Sequence, residues 1–321
     1  MGKHFLLAIF LSFMVLKCEA QDSLFINKTP EKWFRFLYEN DFFNGTDEYY
    51  TQGVRVEYAT PFAERSPVSK ILPVAGGNAT NEHSFFIEQQ CFTPTSVSDP
   101  NLRVGDMPYA STMFLGQFLI SADENKKQQI STELIAGLLG PCAECAAEQE
   151  SIHRALGIYQ PHGWQYQIKT SSILNYDIKY EKMLLRAKFL EFTSGGYARV
   201  GTLYDEAGPL ATLRVGRFNP GFNKDVFNGL THKLKKLQYY AEIWGRADGV
   251  AYNSTLEGGI FSKDNIYTVP PGDIERGILA HGGDITLSYK NLTLQYEETY
   301  VTREFLNGLP HAWGSINIIV R

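Results

Sequence analysis

The feature that most restricts this chain is a two-residue period that returns in segment after segment up to its last residues. "TQGVRVEYAT" sets Val54, Val56 and Tyr58 against Gly53, Arg55 and Glu57, and "DITLSY" sets Ile285, Leu287 and Tyr289 against Asp284, Thr286 and Ser288. The closing "WGSINIIVR" alternates Ile316, Ile318 and Val320 with Ser315 and Asn317. Side chains that alternate in this way line the two faces of a strand, one apolar and one polar. "EKWFRFLYEN", "HSFFIEQQCF", "MFLGQFLIS", "QISTELIAGLL", "SSILNYDIKYE", "LATLRVGRF", "LQYYAEIWGRA" and "NLTLQYEETY" continue the series, separated by turns rich in Gly, Asn, Asp and Pro. About ten to fourteen strands result. Two architectures accommodate them: a soluble sandwich or lipocalin-like barrel with a wet outside, or a membrane barrel that is apolar outside and polar within.

The two ends of the chain favour the membrane barrel. "MGKHFLLAIFLSFMVLKCEAQDS" has a basic start at Lys3, an apolar core and a small-x-small site at Cys18-Glu-Ala20, the pattern of a secretory signal peptide over 1–20. No later apolar run reaches the eighteen or so residues of a spanning helix, which excludes helical membrane spans. Trp33, Tyr109, Trp164, Tyr300 and Trp313 sit at strand ends, where membrane barrels carry aromatic girdles, and a strand closes the chain. Residues 21–321 show no linker or shift of composition and read as a single barrel domain. A net charge of -5 provides no basic stripe, so nucleic acid is not expected as a partner.

One segment breaks the strand period. "CAECAAEQESIHRALG", from Cys142 to Gly157, is rich in Ala and Glu and ends on a glycine suited to a helix C-cap, which predicts an inserted helix of about three turns. Ile152 and Leu156 form an i,i+4 apolar pair on it, with His153 beside them one turn after Gln149. Cys142 and Cys145 read as a local disulfide or paired thiols, since a structural zinc site wants four ligands and no second pair exists. Cys91, in a strand-like run, reads as a buried small apolar residue.

Between the first two strands, "ENDFFNGTDEYYTQG" crowds acid and amide oxygens into a connection that needs few residues. Glu39, Asn40, Asp41 and Thr51 supply hard oxygen ligands of the kind calcium prefers, at a barrel rim or just inside it. Spacing selects none of the seven histidines, and no Gly-x-Ser-x-Gly elbow or His-Glu-x-x-His helix is present.

Three segments in order, "ENDFFNGTDEYYTQGVRVEY", "FTPTSVSDPNLRVGDMPYAS" and "IHRALGIYQPHGWQYQI", resemble those of the outer-membrane lipid A 3'-O-deacylase family. The resemblance spans essentially the whole mature chain. It implies an all-β fold: a transmembrane antiparallel β-barrel of about twelve strands with a short inserted helix, in the outer membrane of a Gram-negative bacterium. It further implies a calcium-dependent esterase that removes the 3'-linked acyloxyacyl group of lipid A. Residue by residue, the family's catalytic set falls on Asn40, Asp41, Thr51 and His153. His153 would act as general base on water, and Ca2+ held near Asp41 and Asn40 would stabilise the oxyanion. Two positions depart from the family: Tyr159 stands where some members carry a glutamate, and a Lys-Arg pair used near the substrate phosphate has no clear counterpart, Arg103 being the nearest candidate. The expected partners are lipid A and outer-membrane lipids, around a monomer. A phospholipase, which would want a serine near its histidine, and a non-enzymatic pore or structural barrel are the alternatives.

Overall fold

The computed structural model describes residues 32–219 and 237–321; the expected leader, 1–20, lies outside them. Among the described residues, twelve strands form one closed barrel. They are β1 (Trp33–Asn40), β2 (Tyr49–Ala59), β3 (Thr80–Thr93), β4 (Ala110–Asp123), β5 (Gln128–Leu139) and β6 (Ser171–Ala187). β7 (Leu190–Gly201), β8 (Tyr204–Arg217), β9 (Leu237–Asn253), β10 (Gly277–Tyr289), β11 (Leu292–Val301) and β12 (His311–Val320) complete it. Three α-helices among the described residues interrupt the strands: α1 (Pro61–Glu64), α2 (Cys145–Leu156) and α3 (Ser254–Glu257). Each strand pairs antiparallel with its sequence neighbours, and β12 returns to β1 with Phe34 opposite Val320 and Asn40 opposite Gly314. Closure matters because lipid offers no partner for an unpaired backbone edge.

Burial decides between the two architectures. On β10, Ile285 is 69% exposed while its neighbours Asp284 and Thr286 are 5% and 1% exposed. The apolar face therefore points outward and the polar face into the lumen, the inverse of a soluble barrel. Charged pairs fill much of that lumen. Arg55 on β2 contacts Glu57 at 3.0 Å, Glu88 on β3 at 3.1 Å and Glu133 on β5 at 3.0 Å, with its guanidinium 3.6 Å from the centre of the Phe86 ring. Buried charges are tolerable only when matched in this way.

Eleven of the strands coincide with the alternating segments of the sequence. β7 does not, because Ser194, Gly195 and Gly196 interrupt its alternation. Gly195 is needed where it stands: a Cβ there would lie 1.8 Å from the Tyr180 carbonyl oxygen of β6. The expected aromatic girdle also needs correction. Trp33, Tyr109 and Trp164 are buried, and Trp313 lines an internal cavity beside Tyr50, which leaves Tyr300 as the outward member of that set. Their buried indole and phenol donors find acceptors within the protein: Trp33 Nε1 donates to Glu82 at 2.7 Å, Trp164 Nε1 to Gln149 at 2.8 Å, and the Tyr109 hydroxyl to the His162 carbonyl.

Candidate active site

Parity along β1 to β3 determines which side of the wall the oxygen-rich cluster occupies. Glu39, Tyr50, Gln90 and Phe92 line an internal cavity of about 200 Å3, so their strand neighbours Asn40, Gln89 and Cys91 point to the outer face. The register shifts between Tyr50 and Gln52, a bulge that lets Thr51 and Gln52 break the alternation. Thr51 there shares a hydroxyl–hydroxyl hydrogen bond of 2.6 Å with Thr93, both buried. The cluster thus sits just outside the wall, where the sequence reading had it at the rim or just inside.

Helix α2 covers this outer face. It begins three residues later than the composition predicts, because Pro141–Ala143 form a 3-10 turn and Glu144 takes a left-handed conformation with φ 63°. Cys145 at its first turn forms a disulfide with Cys91 of β3, across a Cα separation of 5.8 Å. This corrects the expected pairing within Cys142 and Cys145. Cys142 is exposed on the preceding turn, whereas Cys145 faces the wall directly over Cys91. Gln89 adds a hydrogen bond of 2.6 Å to the Ala143 carbonyl.

Spacing of four residues then aligns Cys145, Gln149 and His153 as the buried stripe of α2. The apolar pair Ile152 and Leu156 lies on the exposed side instead. Gly157 ends the helix in the left-handed conformation at φ 68°, and its N–H and that of Ile158 satisfy the Arg154 and His153 carbonyls. This reversal returns the Tyr159 carbonyl oxygen to 2.8 Å from His153 Nδ1. A carbonyl can only accept, so Nδ1 carries the proton and Nε2 of the neutral ring presents its lone pair.

Nε2 lies 3.8 Å from an Asp47 carboxylate oxygen, and the Tyr159 hydroxyl donates to that same oxygen. Asp47 and the Tyr159 hydroxyl are the site residues that sequence reasoning missed. Asp47 stands within the quoted oxygen-rich stretch, so the only available signal was its company there. Asp41, six residues earlier, is buried and accepts the Glu48 backbone N–H. Burial pushes its carboxyl up to about 8, opposed by that hydrogen bond and reinforced by the charge of Asp47. The Asp41 charge in turn acts on the Tyr159 phenol, which places the two connections side by side. Asn40 holds the turn: its Oδ1 accepts from Phe42 N at 2.8 Å and its Nδ2 donates to the Tyr38 hydroxyl at 3.1 Å. Arg103 lies in the 94–109 connection, paired with Asp106 at 2.9 Å and Asp99 at 3.4 Å and donating to Thr95 at 2.9 Å.

The donor chemistry fits a hard cation. Asp41 is a buried carboxyl group with no Lys or Arg ion pair among the described residues, and the oxygens of Asn40, at the end of β1, and of Asp47, in the connection, are its neighbours along the chain. No set of three or more His, Cys, Asp or Glu side chains among the described residues converges to hold a metal alone. Calcium takes six to eight oxygens, so carbonyls, water or substrate would complete its shell.

What the fold and register define is an outer-membrane barrel whose polar cluster lies on the lipid side of its own wall. The family described as outer membrane protein LpxR matches residues 5–321, and the chain belongs to it. Among solved structures, LpxR from Salmonella typhimurium is similar over 90% of this chain and 99% of that one, with a TM-score of 0.69 and 20% identity. The β domain of the Bordetella autotransporter Brka covers 90% of this chain and 98% of its own, with a TM-score of 0.45 and 8% identity. No curated protein sequence matches the chain.

Proposed function

We propose that this protein hydrolyses an acyl ester of lipid A, removing the 3'-linked acyloxyacyl group from the membrane side of its own wall. One observation carries the reading: His153 is buried on the outer face, its Nδ1 proton held by the Tyr159 carbonyl and its Nε2 lone pair turned toward the acid-rich β1–β2 connection. Nε2 takes a proton from the water that attacks the ester carbonyl carbon, and later returns it to the departing alkoxide. The Asp47 carboxylate stabilises the imidazolium that exists between those steps. Thr51 and Thr93 share one hydrogen bond between two hydroxyls, which leaves one O–H free to donate to the developing oxyanion.

Asp41 and Asn40 would hold Ca2+, which when bound supplies positive charge against that oxyanion. Arg103 is the candidate contact for a substrate phosphate, which has to compete with Asp106 and Asp99 for the guanidinium. Exposed Phe42, Ile152, Leu156 and Ile158 offer apolar surface to acyl chains beside the site. A serine nucleophile is not favoured: Ser151 is exposed, its hydroxyl bound to the Ala147 carbonyl at 2.7 Å. The test is mass spectrometry of lipid A from cells carrying the wild-type protein or His153→Asn, with and without chelator, and with phospholipids assayed in parallel. Loss of the acyloxyacyl mass is expected for the wild type without chelator alone. Unchanged lipid A in all samples overturns the proposal, and phospholipid cleavage would assign a different substrate.

A further inference from the structure

The connection between β2 and β3, residues 60–79, does something unusual at the end of the barrel opposite the site. Three other turns at that end are tight, 124–127, 188–189 and 290–291, as on the periplasmic side of bacterial barrels. This one instead folds up against the outside of the wall. Parity again proves the side. Phe86 and Phe118 face the lumen around Arg55, so Gln117 points outward; Gln129 and Asp177 line the lumen cavity, so Gln128 and Tyr176 point outward as well. These outward groups all bind the connection. Gln117 Nε2 donates to the Ala63 carbonyl at 2.8 Å and to Ser69 Oγ at 2.7 Å, and Tyr176 donates to the Ile71 carbonyl at 3.0 Å. Ser121 accepts from Ala75 N at 2.8 Å, and Gln128 donates to the Ala75 carbonyl.

The segment is therefore a strap laid across β3, β4, β5 and β6, over a patch of wall that carries polar side chains. Tyr58, Tyr239 and Tyr289, near the same end on other strands, are bare and exposed. A bare Gln117 in hydrocarbon would leave its amide nitrogen without these acceptors, a cost that a lipid-facing wall does not ordinarily carry. The strap gives the Gln117 amide nitrogen two acceptors and presents a new outer surface: Phe62, Ile71 and Val74 are 69%, 57% and 48% exposed, with Arg65 and Lys70 exposed among them.

The geometry points to the strap as a phospholipid-binding surface of the periplasmic leaflet, with Phe62, Ile71 and Val74 among acyl chains and Arg65 and Lys70 at anionic headgroup phosphates. Continuity selects lipid as the occupant, since the strap is flanked by and replaces part of a wall that already faces lipid. Long basic side chains reach headgroups from such a position. The inference is independent of the deacylase reading.

It is tested with Phe62→Cys, Ile71→Cys and Val74→Cys, each in a Cys142→Ser background, carrying a polarity-sensitive fluorophore in proteoliposomes of phosphatidylethanolamine and phosphatidylglycerol. Quenching by doxyl-labelled lipid together with protection from aqueous iodide is expected at all three positions. Iodide quenching as strong as that of free dye, with no response to doxyl lipid, overturns the assignment. For the headgroup arm, spin-labelled phosphatidylglycerol should associate a few-fold more strongly than phosphatidylcholine, and Arg65→Glu with Lys70→Glu should erase that preference. A preference unchanged in the double variant overturns the role of the two cations, and retained heat-modifiability shows that the barrel is intact.

Discussion

Tyr159 occupies a position where the family resemblance looks for a glutamate, and the structure gives it two separate tasks. Its carbonyl fixes the tautomer of His153, while its hydroxyl holds Asp47. The two can be separated by mutation. Tyr159→Phe keeps the carbonyl and loses the hydroxyl, so kcat is expected to fall about 5- to 30-fold, with KM little changed, because a partly exposed hydrogen bond to a carboxylate contributes only about 1–2 kcal/mol. His153→Asn removes the base and is expected to lower kcat by about 100- to 10,000-fold. Steady-state assays on purified lipid A distinguish the two, and equal losses would refute the division of roles. Little of this was legible beforehand. Seven histidines offered no internal ranking, and His153 stood out only through the resemblance. Asp47 passed unnoticed because its meeting with Tyr159 joins residues 112 apart in sequence.

Helix α2 was the most legible element, since alanine, glutamate and a terminal glycine are local signals. Its C-cap carries a consequence for the site: Gly157→Ala forces a side chain into the left-handed region, at about 1 kcal/mol, and loosens the turn that returns the Tyr159 carbonyl to His153. A lower kcat without a changed fold, seen by circular dichroism and heat-modifiability, is the expected result. The disulfide was not legible. Joining Cys91 to Cys145 ties the helix to the wall across 54 residues, and replacing both with serine is expected to cost about 2–4 kcal/mol. Activity should become sensitive to temperature well before the barrel melts; coincident losses would show that the tether serves the barrel as a whole. β7 was lost to the reading for the opposite reason, since its glycines serve close approach of neighbouring strands and erase the side-chain alternation by which strands are recognised.

For the barrel as a whole, the reversal of faces is the central fact, and it can be challenged at one position. Ile285→Arg places a charge on the lipid side and is expected to destabilise folding by up to about 2–4 kcal/mol, depending on depth, as measured by urea unfolding in vesicles. A neutral outcome would contradict an outward Ile285. Acid response tests the lumen at the end nearer the site. Glu304, in the 302–310 connection, faces the cavity it shares with Glu206 and Glu39, and burial raises its carboxyl to about 7, with Glu206 adding to the effect. The folded barrel then holds a proton that the unfolded chain releases near 4.5, so this contribution to stability is complete below about 4.5 and is lost as pH rises through about 7. Unfolding midpoints that fall across that window in the wild type, and fall less in Glu304→Gln, are the expected result. What the sequence determined unaided is the set of properties that belong to single segments: the strand period, the helix and its glycine stop, and the lack of an apolar run after the N-terminus long enough to span. Which alternating face meets lipid, which two cysteines join, and which carboxylate reaches the imidazole depended on register and closure. Those are relations between distant segments, settled only when the last strand pairs with the first.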